Sequence, residues 1–501
     1  MSEQRTFHDW TPDEYERNGR LALAEIRTLI AGVRSRPVSS DASADEVRDV
    51  LSREIPVDGE PFELVLQDTM ESVVPQLTHW HHPSFHGYFS NSSSGPGVVA
   101  DLVTSALNVN SMLWSSSPAA SAVEEIVLEW IAAMVGYPLD AEGVLVNGAS
   151  LGTLYALAAA REALDDLSIR TQGMAGRTDL PALRIYTTAQ THSSIEKAAV
   201  TLGIGLDNVV RVAHDESLAM MPEALDEALR TDQRAGRRPL AVVATDGTTP
   251  TAISDPVPAV ADVCRQHGVW LHVDAAYGGL WRLVPRLQDS LPSLAAADSL
   301  VVNPHKTLFV PMECGVLLCR RRDALARAFR VVPDYLATDA GDGSVDYMDR
   351  SLQLGRSFRA LKLWWVIRCF GRTGLVAGLS QLDQIATRLR AAVDAHPDWT
   401  RTSSSPLPLV CLRYTPEAGI GLESPTREAH RAVLDELNLR ILRDANRSGS
   451  TYLSKTTLDD GVSLRVSIGN IQTEDSDIDK LWGLLNSYAE KAASERSGPL
   501  E

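Results

Sequence analysis

One stretch organises this sequence: Val301-Val302-Asn303-Pro304-His305-Lys306-Thr307. Apolar residues precede it and the apolar run Leu308-Phe309-Val310 follows, so we predict a buried strand that ends near Asn303 and a turn that carries Lys306. A buried ammonium group is costly unless it is paired or neutralised. A lysine in a desolvated pocket has a lowered pKa and can form an imine with a carbonyl compound. Taken alone, however, this stretch is more typical of a turn with an exposed lysine.

A second stretch changes the interpretation of Lys306. It is Val269-Trp270-Leu271-His272-Val273-Asp274-Ala275-Ala276-Tyr277-Gly278-Gly279, an apolar strand that runs into small residues. Asp274 is unfavourable at the end of a buried strand unless a cation meets it. A carboxylate at one strand end and a lysine at a later one suit pyridoxal phosphate (PLP), because the carboxylate would keep the pyridine nitrogen protonated and the lysine would carry the cofactor. The sequence therefore predicts a PLP site formed by Asp274 and Lys306.

These two motifs together resemble those of a known family, the group II pyridoxal-phosphate-dependent decarboxylases, to which aromatic-L-amino-acid decarboxylase belongs. The resemblance rests on His-Val-Asp-Ala-Ala-Tyr at 272–277 and on Asn-Pro-His-Lys at 303–306. It extends from about Trp80 to Arg465 and so covers most of the chain. It implies an α/β protein of fold type I, with PLP as the cofactor and an amino acid as the substrate.

Changes in the sequence pattern, together with the resemblance, indicate three parts of the chain. We expect an N-terminal helical segment at 1–85, a large PLP-binding domain with a mostly parallel sheet at 86–380, and a smaller C-terminal α/β domain at 381–501. Apolar strands that alternate with helical stretches support the parallel sheet independently. In the family the N-terminal segment packs on the partner subunit, so we expect a homodimer with the active site at the subunit interface. The alternative is an amphipathic helix that lies on its own domain.

Composition and charge are those of an ordinary globular protein. The chain has 501 residues, 44% hydrophobic and 22% charged, and a net charge of −18, which argues against nucleic acid and anionic membranes as partners. It has no apolar run of about 18 residues that could span a bilayer, and its start lacks the apolar stretch of a signal peptide. The five cysteines are an odd number without a metal-ligand pattern, so we interpret them as buried thiols and expect a cytoplasmic protein.

A strand, a turn of small residues and a helix follow one another between Gly143 and Ala160. The first backbone N–H groups of a helix, with the helix dipole behind them, form an anion site. Gly-Ala-Ser before a helix is common, and alone it would indicate only an ordinary N-cap. Beside the two PLP motifs, we interpret Ala149 and Ser150 as the site of the cofactor phosphate, as the resemblance also implies.

The resemblance assigns further residues around the cofactor. It places His192 on the face of the pyridine ring, where an imidazole can relay protons. The neighbouring Ser193 and Glu196 have the spacing of a capping box. The remaining cofactor residues that the resemblance implies are Thr249, Ala276, Asn303 and His305. Independently of the resemblance, a shared position supports part of this set, because five members fall at predicted strand exits, where parallel sheets bind ligands. These five are Ser150, His192, Thr249, Asp274 and Lys306.

The segment Thr78–Phe89 is dense in aromatic side chains and histidines. Its four histidines have no cysteine partner and no helical zinc spacing, so we expect no metal site. By resemblance, three of its aromatic residues line the substrate pocket, namely Trp80, Tyr88 and Phe89. The next residues, Ser90-Asn91, depart from the Pro-Thr of the animal enzymes, and Asn110 and Met112 depart from apolar and aromatic groups that reach the neighbouring subunit's pocket. The identity of the substrate side chain therefore stays open.

The stretch Ala337–Arg350 has two glycines and no apolar period, so we expect a mobile loop, with a solvated linker as the alternative. In the family this loop closes over the active site, and a tyrosine at the position of Tyr335 returns a proton to the alpha carbon. Related aldehyde synthases carry phenylalanine there. Tyr335 and His192 therefore favour plain decarboxylation.

We predict a PLP-dependent carbon–carbon lyase that decarboxylates an L-amino acid to the amine and CO2. Trp80, Tyr88 and Phe89 favour an aromatic substrate (tryptophan, tyrosine, phenylalanine or dihydroxyphenylalanine). We expect Lys306, His192, Tyr335 and Asp274 to carry the chemistry. The alternatives are a non-aromatic substrate, an aldehyde synthase or aminotransferase on the same fold, and a catalytically inactive homologue that acts as an interaction protein.

Overall fold

Two β-sheets and the helices around them make up the protein, seen in a computed structural model that describes residues 9–51, 54–331, 344–416 and 426–497. The strands in these ranges are β1 (Phe85–His86), β2 (Glu142–Val146), β3 (Leu183–Thr187), β4 (Val209–Arg211), β5 (Arg238–Thr245), β6 (Trp270–Asp274), β7 (Ser299–Val302), β8 (Gly315–Cys319), β9 (Trp399–Arg401), β10 (Leu409–Tyr414), β11 (Tyr452–Leu458) and β12 (Gly461–Ser467).

The α-helices alternate with these strands over much of the chain. They are α1 (Pro12–Ala31), α2 (Ala44–Asp49), α3 (Phe62–Asp68), α4 (Gly95–Leu107), α5 (Pro118–Val135), α6 (Ala149–Glu162), α7 (Ile169–Gln172), α8 (Ser194–Thr201), α9 (Pro222–Arg234), α10 (Val257–His267), α11 (Pro304–Thr307), α12 (Ala324–Phe329), α13 (Ala360–Asp394), α14 (Arg427–Arg447) and α15 (Asp475–Ser497).

The larger sheet has seven strands in the order β2-β8-β7-β6-β5-β3-β4. All neighbouring pairs are parallel except those of β8, which runs antiparallel to both β2 and β7. The central strands β6 and β7 are buried along their whole length, which explains why they read as nearly continuous apolar runs. The predicted mostly parallel α/β sheet is confirmed. Its parallel strands all present their carboxyl ends at one edge, and that edge carries the site described below.

The smaller sheet has five strands in the order β1-β11-β12-β10-β9. Its edge strand β1 comes from the N-terminal part of the chain and pairs in parallel with β11, with Phe85 opposite Tyr452 and His86 opposite Leu453. The three-part division stays a prediction. The boundary expected after residue 85 falls within β1, and the boundary expected after residue 380 falls within α13.

A segment at 82–92, the linking segment, ties the N-terminal part of the chain to the smaller sheet. His86 Nδ1 lies 3.1 Å from the carbonyl oxygen of Ser467, and the backbone N–H of Ser90 donates to Ser467 Oγ at 3.0 Å. Further along, the backbone N–H of Ile471 donates to Ser92 Oγ at 2.8 Å. The linking segment is therefore held along its length by residues around the end of β12, and it continues towards the large sheet.

The N-terminal helix α1 begins as its sequence predicts. Thr11 and Glu14 form a capping box, in which each side chain accepts from the other's backbone N–H, and Pro12 occupies the first turn. Trp10 packs edge-on against Phe62 of α3, with 5.2 Å between the ring centres. Along α1, Asn18 is the buried residue, while Leu23 is 50% exposed and Ile30 is 45% exposed. Helix α1 thus presents apolar side chains to solvent.

Two findings concern the expected partners. Within the described ranges, no helix combines the length and apolar character needed to cross a membrane. In the same part of the chain, no group of three or more His, Cys, Asp or Glu side chains is arranged to hold a metal ion. The histidines at 82 and 86 are instead buried in the linking segment, and burial lowers the pKa of each to about 4.

Buried neutral histidines predict a loss of stability in mild acid. The folded-state pKa of His86 is about 4, whereas an unfolded histidine has a pKa of about 6.5, so the unfolded chain takes up the proton first as pH falls. The contribution of neutral His86 to the free energy of unfolding is complete above pH 6.5 and is lost as pH falls towards 4. The full difference in pKa between the folded and the unfolded state is equivalent to about 3 kcal/mol. Urea unfolding at pH 7.5, 6 and 5 measures this dependence.

The variant His86→Gln is the control for this prediction. It removes the titrating group, so its free energy of unfolding should be lower at pH 7.5 but should fall less steeply between pH 6.5 and 5. An unchanged pH dependence in the variant would show that His86 does not contribute to it.

Candidate active site

The predicted cofactor residues meet in one cavity of about 380 Å3 at the carboxyl edge of the large sheet. All nine of them line it, together with Phe89: Ala149, Ser150, His192, Thr249, Asp274, Ala276, Asn303, His305 and Lys306. They arrive from the exits of β2, β3, β5, β6 and β7, as expected for ligand sites of parallel sheets. A larger cavity of about 580 Å3 near α7 and α12 contains none of them.

Lys306 lies on α11, a single helical turn that follows β7 directly. Its backbone N–H donates to the carbonyl oxygen of Asn303 at 2.8 Å, which fixes the turn. Its Nζ atom lies 4.7 Å from the centre of the Phe89 ring. Burial lowers the pKa of Lys306, the charge of Arg465 lowers it further, and Asp274 opposes both. Such an amine loses its proton more readily than a lysine in water and becomes a nucleophile.

Asp274 ends β6, the strand next to β7. It lies opposite Thr245 of β5 on one side and opposite Val301 of β7 on the other, and it is 6% exposed. One carboxylate oxygen, Oδ1, accepts the backbone N–H of Ala276 at 3.0 Å. The carboxylate is therefore held in a fixed orientation at the cavity wall.

The start of α6 forms the opposite end of the cavity. Gly148 precedes the helix, and the backbone N–H groups of Ala149 and Ser150 lie in its first turn, where no carbonyl of the same helix can accept from them. The chain is tightly packed behind this turn, because a Cβ atom on Gly315 would lie 2.7 Å from the Cα atom of Gly148. The N-terminal end of α6 is therefore a rigid anion site.

His305 lies beside this anion site. A Cβ atom added to Gly148 would lie 3.5 Å from Cε1 of the imidazole, so an added Cβ atom would make only ordinary van der Waals contact with the ring. Nδ1 of His305 lies 2.7 Å from the carbonyl oxygen of Cys314. Burial, reinforced by the charge of Lys306, lowers the pKa of His305 to about 4, so the ring is neutral at neutral pH. The carbonyl oxygen of His305 accepts a hydrogen bond from Asn91 of the linking segment.

His192 lies on the turn between β3 and α8. Its Nδ1 accepts the backbone N–H of Ser194 at 3.1 Å, so the proton of the neutral ring is on Nε2. The predicted capping box of Ser193 and Glu196 is wrong, because Ser193 makes no capping hydrogen bond and Glu196 pairs with Arg211 instead. Burial lowers the pKa of His192, Asp274 raises it, and Lys306 lowers it. The cavity thus contains a neutral imidazole of defined tautomer.

Of the three predicted pocket aromatics, Phe89 lines the cavity. Its ring stacks on Tyr277 with 4.0 Å between ring centres, and the Arg465 guanidinium lies 5.4 Å from the same ring. The structure does not bring Trp80 and Tyr88 to this cavity. They stack on each other at 5.5 Å and are 37% and 51% exposed. Their assignment to the substrate pocket stays a prediction.

Tyr335 lies outside the described residues, so its role also stays a prediction. The expected mobile loop at 337–350 is described from residue 344 onwards, and for that part the expectation is wrong. Tyr347 is 1% exposed, and the guanidinium group of Arg356 lies 5.0 Å from its ring centre. A buried aromatic ring anchors this end of the segment, although the sequence around it is polar.

Several residues at the cavity were not anticipated from the sequence. Tyr277 belongs to the 272–277 motif and could have been identified from it, whereas Asn147, Thr245, Met312 and Glu313 carry no local signal. Arg465 supports the cavity indirectly. Its guanidinium group donates to the carbonyl oxygens of Thr249 at 2.7 Å and Pro250 at 2.9 Å and so fixes the turn that follows β5.

The residues present fit PLP. The N-terminal end of α6 can bind the phosphate dianion, Asp274 can pair with a protonated pyridine nitrogen, and the amine of Lys306 can form an imine with an aldehyde. Two buried polar atoms, Oγ1 of Thr245 and Oδ1 of Asn303, have no hydrogen-bond partner, and both residues line the cavity. Buried polar atoms without partners indicate a polar ligand at the site.

Comparisons with known proteins agree with this chemistry. The sequence profile described as the pyridoxal-dependent decarboxylase conserved domain matches residues 45–415. A phenylacetaldehyde synthase of a Rosa hybrid cultivar is 31% identical, over 96% of this chain and 95% of the relative. Aromatic-L-amino-acid decarboxylase of Mus musculus is 31% identical, over 95% of this chain and 97% of the relative. The crystal structure of Oryza sativa TDC with PLP and tryptamine has a TM-score of 0.90 at 30% identity and covers 97% of this chain and 100% of that one.

The profile match and the full-length similarity confirm three expectations from the sequence: the fold type I architecture, PLP as the cofactor, and an enzyme of the carbon–carbon lyase class. The site is consistent with these expectations, since one cavity contains an amine, a carboxylate and an anion site, the three kinds of group that suit PLP. The chain belongs to the group II pyridoxal-phosphate-dependent decarboxylases.

Proposed function

We propose that this protein is a cytoplasmic homodimeric enzyme that decarboxylates an aromatic L-amino acid to the corresponding amine. The observation that carries the proposal is the placement of Lys306 and Asp274 in one cavity beneath the stacked rings of Phe89 and Tyr277. Aromatic rings offer an aromatic side chain stacking geometries that an aliphatic chain cannot use. All five cysteines are free and four of them are buried, which supports a reducing compartment.

Each of these residues has a separate role in the proposed reaction. When bound, PLP supplies an electron sink for the electron pair that remains as the carboxyl group leaves. Asp274 keeps the pyridine nitrogen protonated, and Lys306 provides the amine that attaches the cofactor. The first turn of α6 holds the phosphate, and His192 supports the ring with its neutral imidazole. We assign to Tyr335 the return of a proton to the alpha carbon.

The departures at Ser90 and Asn91 do not weaken the aromatic assignment. The hydroxyl of Ser90 donates to the carbonyl oxygen of Ser467 at 2.9 Å, and the amide of Asn91 donates to the carbonyl oxygen of His305. Both side chains are buried and engaged by the protein itself. The mouse relative is named as a decarboxylase of aromatic amino acids. The Oryza sativa protein was crystallised with tryptamine, an amine that carries an aromatic side chain.

An aldehyde synthase is the second candidate function. A phenylacetaldehyde synthase is as similar to this chain as the mouse decarboxylase is, at 31% identity in both cases. Overall similarity therefore does not separate the two reactions. Tyr335 favours decarboxylation, because the resemblance assigns a tyrosine there to the proton return.

Exposed apolar side chains on α1 and α4 support the homodimer. Leu23, Ile26 and Ile30 are at least 36% exposed on α1, and Leu102 and Leu107 are at least 50% exposed on α4. Clusters of exposed apolar residues are typical of protein interfaces. We place the partner subunit on these exposed faces of α1 and α4, with the active site next to the subunit interface.

The substitution Lys306→Ala tests the active-site assignment. We expect CO2 release from tryptophan, tyrosine, phenylalanine and dihydroxyphenylalanine by the wild type. The variant should lose about 1000-fold or more of this activity, because Lys306 is the one lysine among the described residues that line the cavity. The control is Lys491→Ala, at an exposed lysine of α15, which should retain full activity. Release only from non-aromatic amino acids would contradict the substrate assignment, and an active Lys306→Ala would contradict the site.

The substitution Tyr335→Phe separates the two candidate reactions. Without its hydroxyl the proton return should fail, and dissolved O2 should accept the electron pair instead. With the uptake of one O2 and one water, the product should shift from amine towards aldehyde, ammonia and hydrogen peroxide. Chromatography of the products and a peroxide assay measure the shift. If the variant still makes only the amine, Tyr335 is not the proton donor. If the wild type already makes the aldehyde, the aldehyde synthase is the correct function.

The paired substitution Ile26→Glu/Ile30→Glu tests the dimer. Two carboxylates on the exposed face of α1 should prevent its burial, so the variant should sediment as a monomer and lose most of its activity. The matched control is Val200→Glu on α8, at a residue that is 56% exposed outside this surface. A paired variant that still sediments as the wild type does would place the interface elsewhere.

A further inference from the structure

A chain of buried hydrogen bonds lies behind the cavity. His272 of β6 is 0% exposed, and its Nε2 atom lies 3.1 Å from Thr153 Oγ1 of α6. Its Nδ1 atom lies 2.9 Å from Ser299 Oγ of β7, which also accepts the indole N–H of Trp270 at 2.8 Å. Thr153 and Ser299 are also fully buried. One imidazole therefore connects a helix to two strands in the interior.

The three connected elements are those that carry the cofactor residues. Helix α6 begins with the anion site at Ala149, β6 ends in Asp274, and β7 leads into the turn with Lys306. His272 and Asp274 are two residues apart on one strand, so their side chains point to the same face of the sheet. His272 lies on β6 and makes direct contacts with α6 and β7, so it is connected to all three elements without another element between them.

The hydroxyl groups of this network can satisfy both ring nitrogens of His272. The indole N–H of Trp270 can only donate, so Ser299 Oγ accepts it and keeps a proton and a second lone pair for His272 Nδ1. A neutral imidazole has one donor and one acceptor nitrogen, and the hydroxyl groups of Ser299 and Thr153 can pair with either tautomer. Burial keeps this imidazole neutral, with its pKa lowered to about 4. Each nitrogen of the ring thus has a partner on a different element.

Packing alone would leave the position of α6 less defined. The helix touches β7 at Gly152, where a Cβ atom would lie 2.6 Å from Val301 Cγ1, and the side chains around this contact are apolar. Apolar contacts are not directional, so they permit small shifts of a helix along a sheet. Hydrogen bonds are directional, and a satisfied buried network specifies one arrangement.

We propose that His272 is a positioning residue that, through Thr153 and Ser299, sets the phosphate-binding end of α6 relative to Asp274 and the turn of Lys306. It thereby fixes the orientation in which PLP is held. The proposal rests on PLP as the cofactor and is independent of the substrate and of the reaction proposed above. Preorganisation of a site by such supporting contacts affects ligand affinity as well as turnover.

The test uses Thr153→Val, which replaces the hydroxyl group by a methyl group of similar shape, and Thr153→Ser, which keeps the hydroxyl. PLP is removed from the full-length protein and titrated back, and the dissociation constant and the circular dichroism of the bound cofactor are recorded. The thermal midpoint of the cofactor-free protein is measured as well. The matched control is Tyr137→Phe, which removes one buried hydrogen bond, from the tyrosine hydroxyl to the carbonyl oxygen of Ala297, and neither of these residues lines the cavity.

For Thr153→Val we expect the PLP dissociation constant to rise about fivefold to tenfold, as for one lost buried hydrogen bond, and the circular dichroism of the cofactor to weaken. Thr153→Ser should restore both, and Tyr137→Phe should lower the thermal midpoint as much as Thr153→Val does without changing either. Wild-type affinity and dichroism in Thr153→Val would overturn the proposal, and so would equal changes in Tyr137→Phe. Should Thr153→Val not fold, Ser299→Ala tests the same network with the same readouts.

Discussion

The desolvation of an amine next to a carboxylate is the constraint on which the rest of this structure depends. Lys306 and Asp274 leave adjacent strands of a buried sheet, and neither group would be stable there as an isolated charge. The protein lowers the pKa of the amine by burial and holds the carboxylate by the backbone N–H of Ala276. A cofactor with a pyridine nitrogen and an aldehyde can interact with both groups. The unfavourable free energy of burying them in the cofactor-free protein is then offset when the cofactor binds.

The topology of the large sheet brings the other parts of the site to this pair. Parallel strands end at one edge, and each exit contributes one function: the anion site after β2, the imidazole after β3, the turn after β5. The antiparallel strand β8 interrupts the pattern beside β7. Its first residue, Gly315, packs on Gly148, so the exception to the parallel order supports the phosphate end of the cavity.

The smaller sheet contributes to the active site through the linking segment at 82–92. Residues around the end of β12 hold this segment, and its next residues place Phe89 above Lys306 and Asn91 on the carbonyl of His305. Arg465 of β12 holds the turn at Thr249 from the same side. Lys306 thus leaves the large sheet and lies against Phe89 of the linking segment, which the smaller sheet holds in place.

The sequence by itself predicted the strands and the residues at their exits, including those at 149, 192, 274 and 306, because strand periodicity and the placement of polar groups at strand ends are local properties. The role of His192 at the cofactor came from the resemblance to the family and stays a prediction. Tertiary structure alone decided the pairing of Phe85 and His86 with β11, the position of Trp80 and Tyr88 outside the cavity, and the network of Thr153, His272 and Ser299. These contacts join residues far apart in the chain, and their geometry depends on how the elements pack rather than on the residues that flank them.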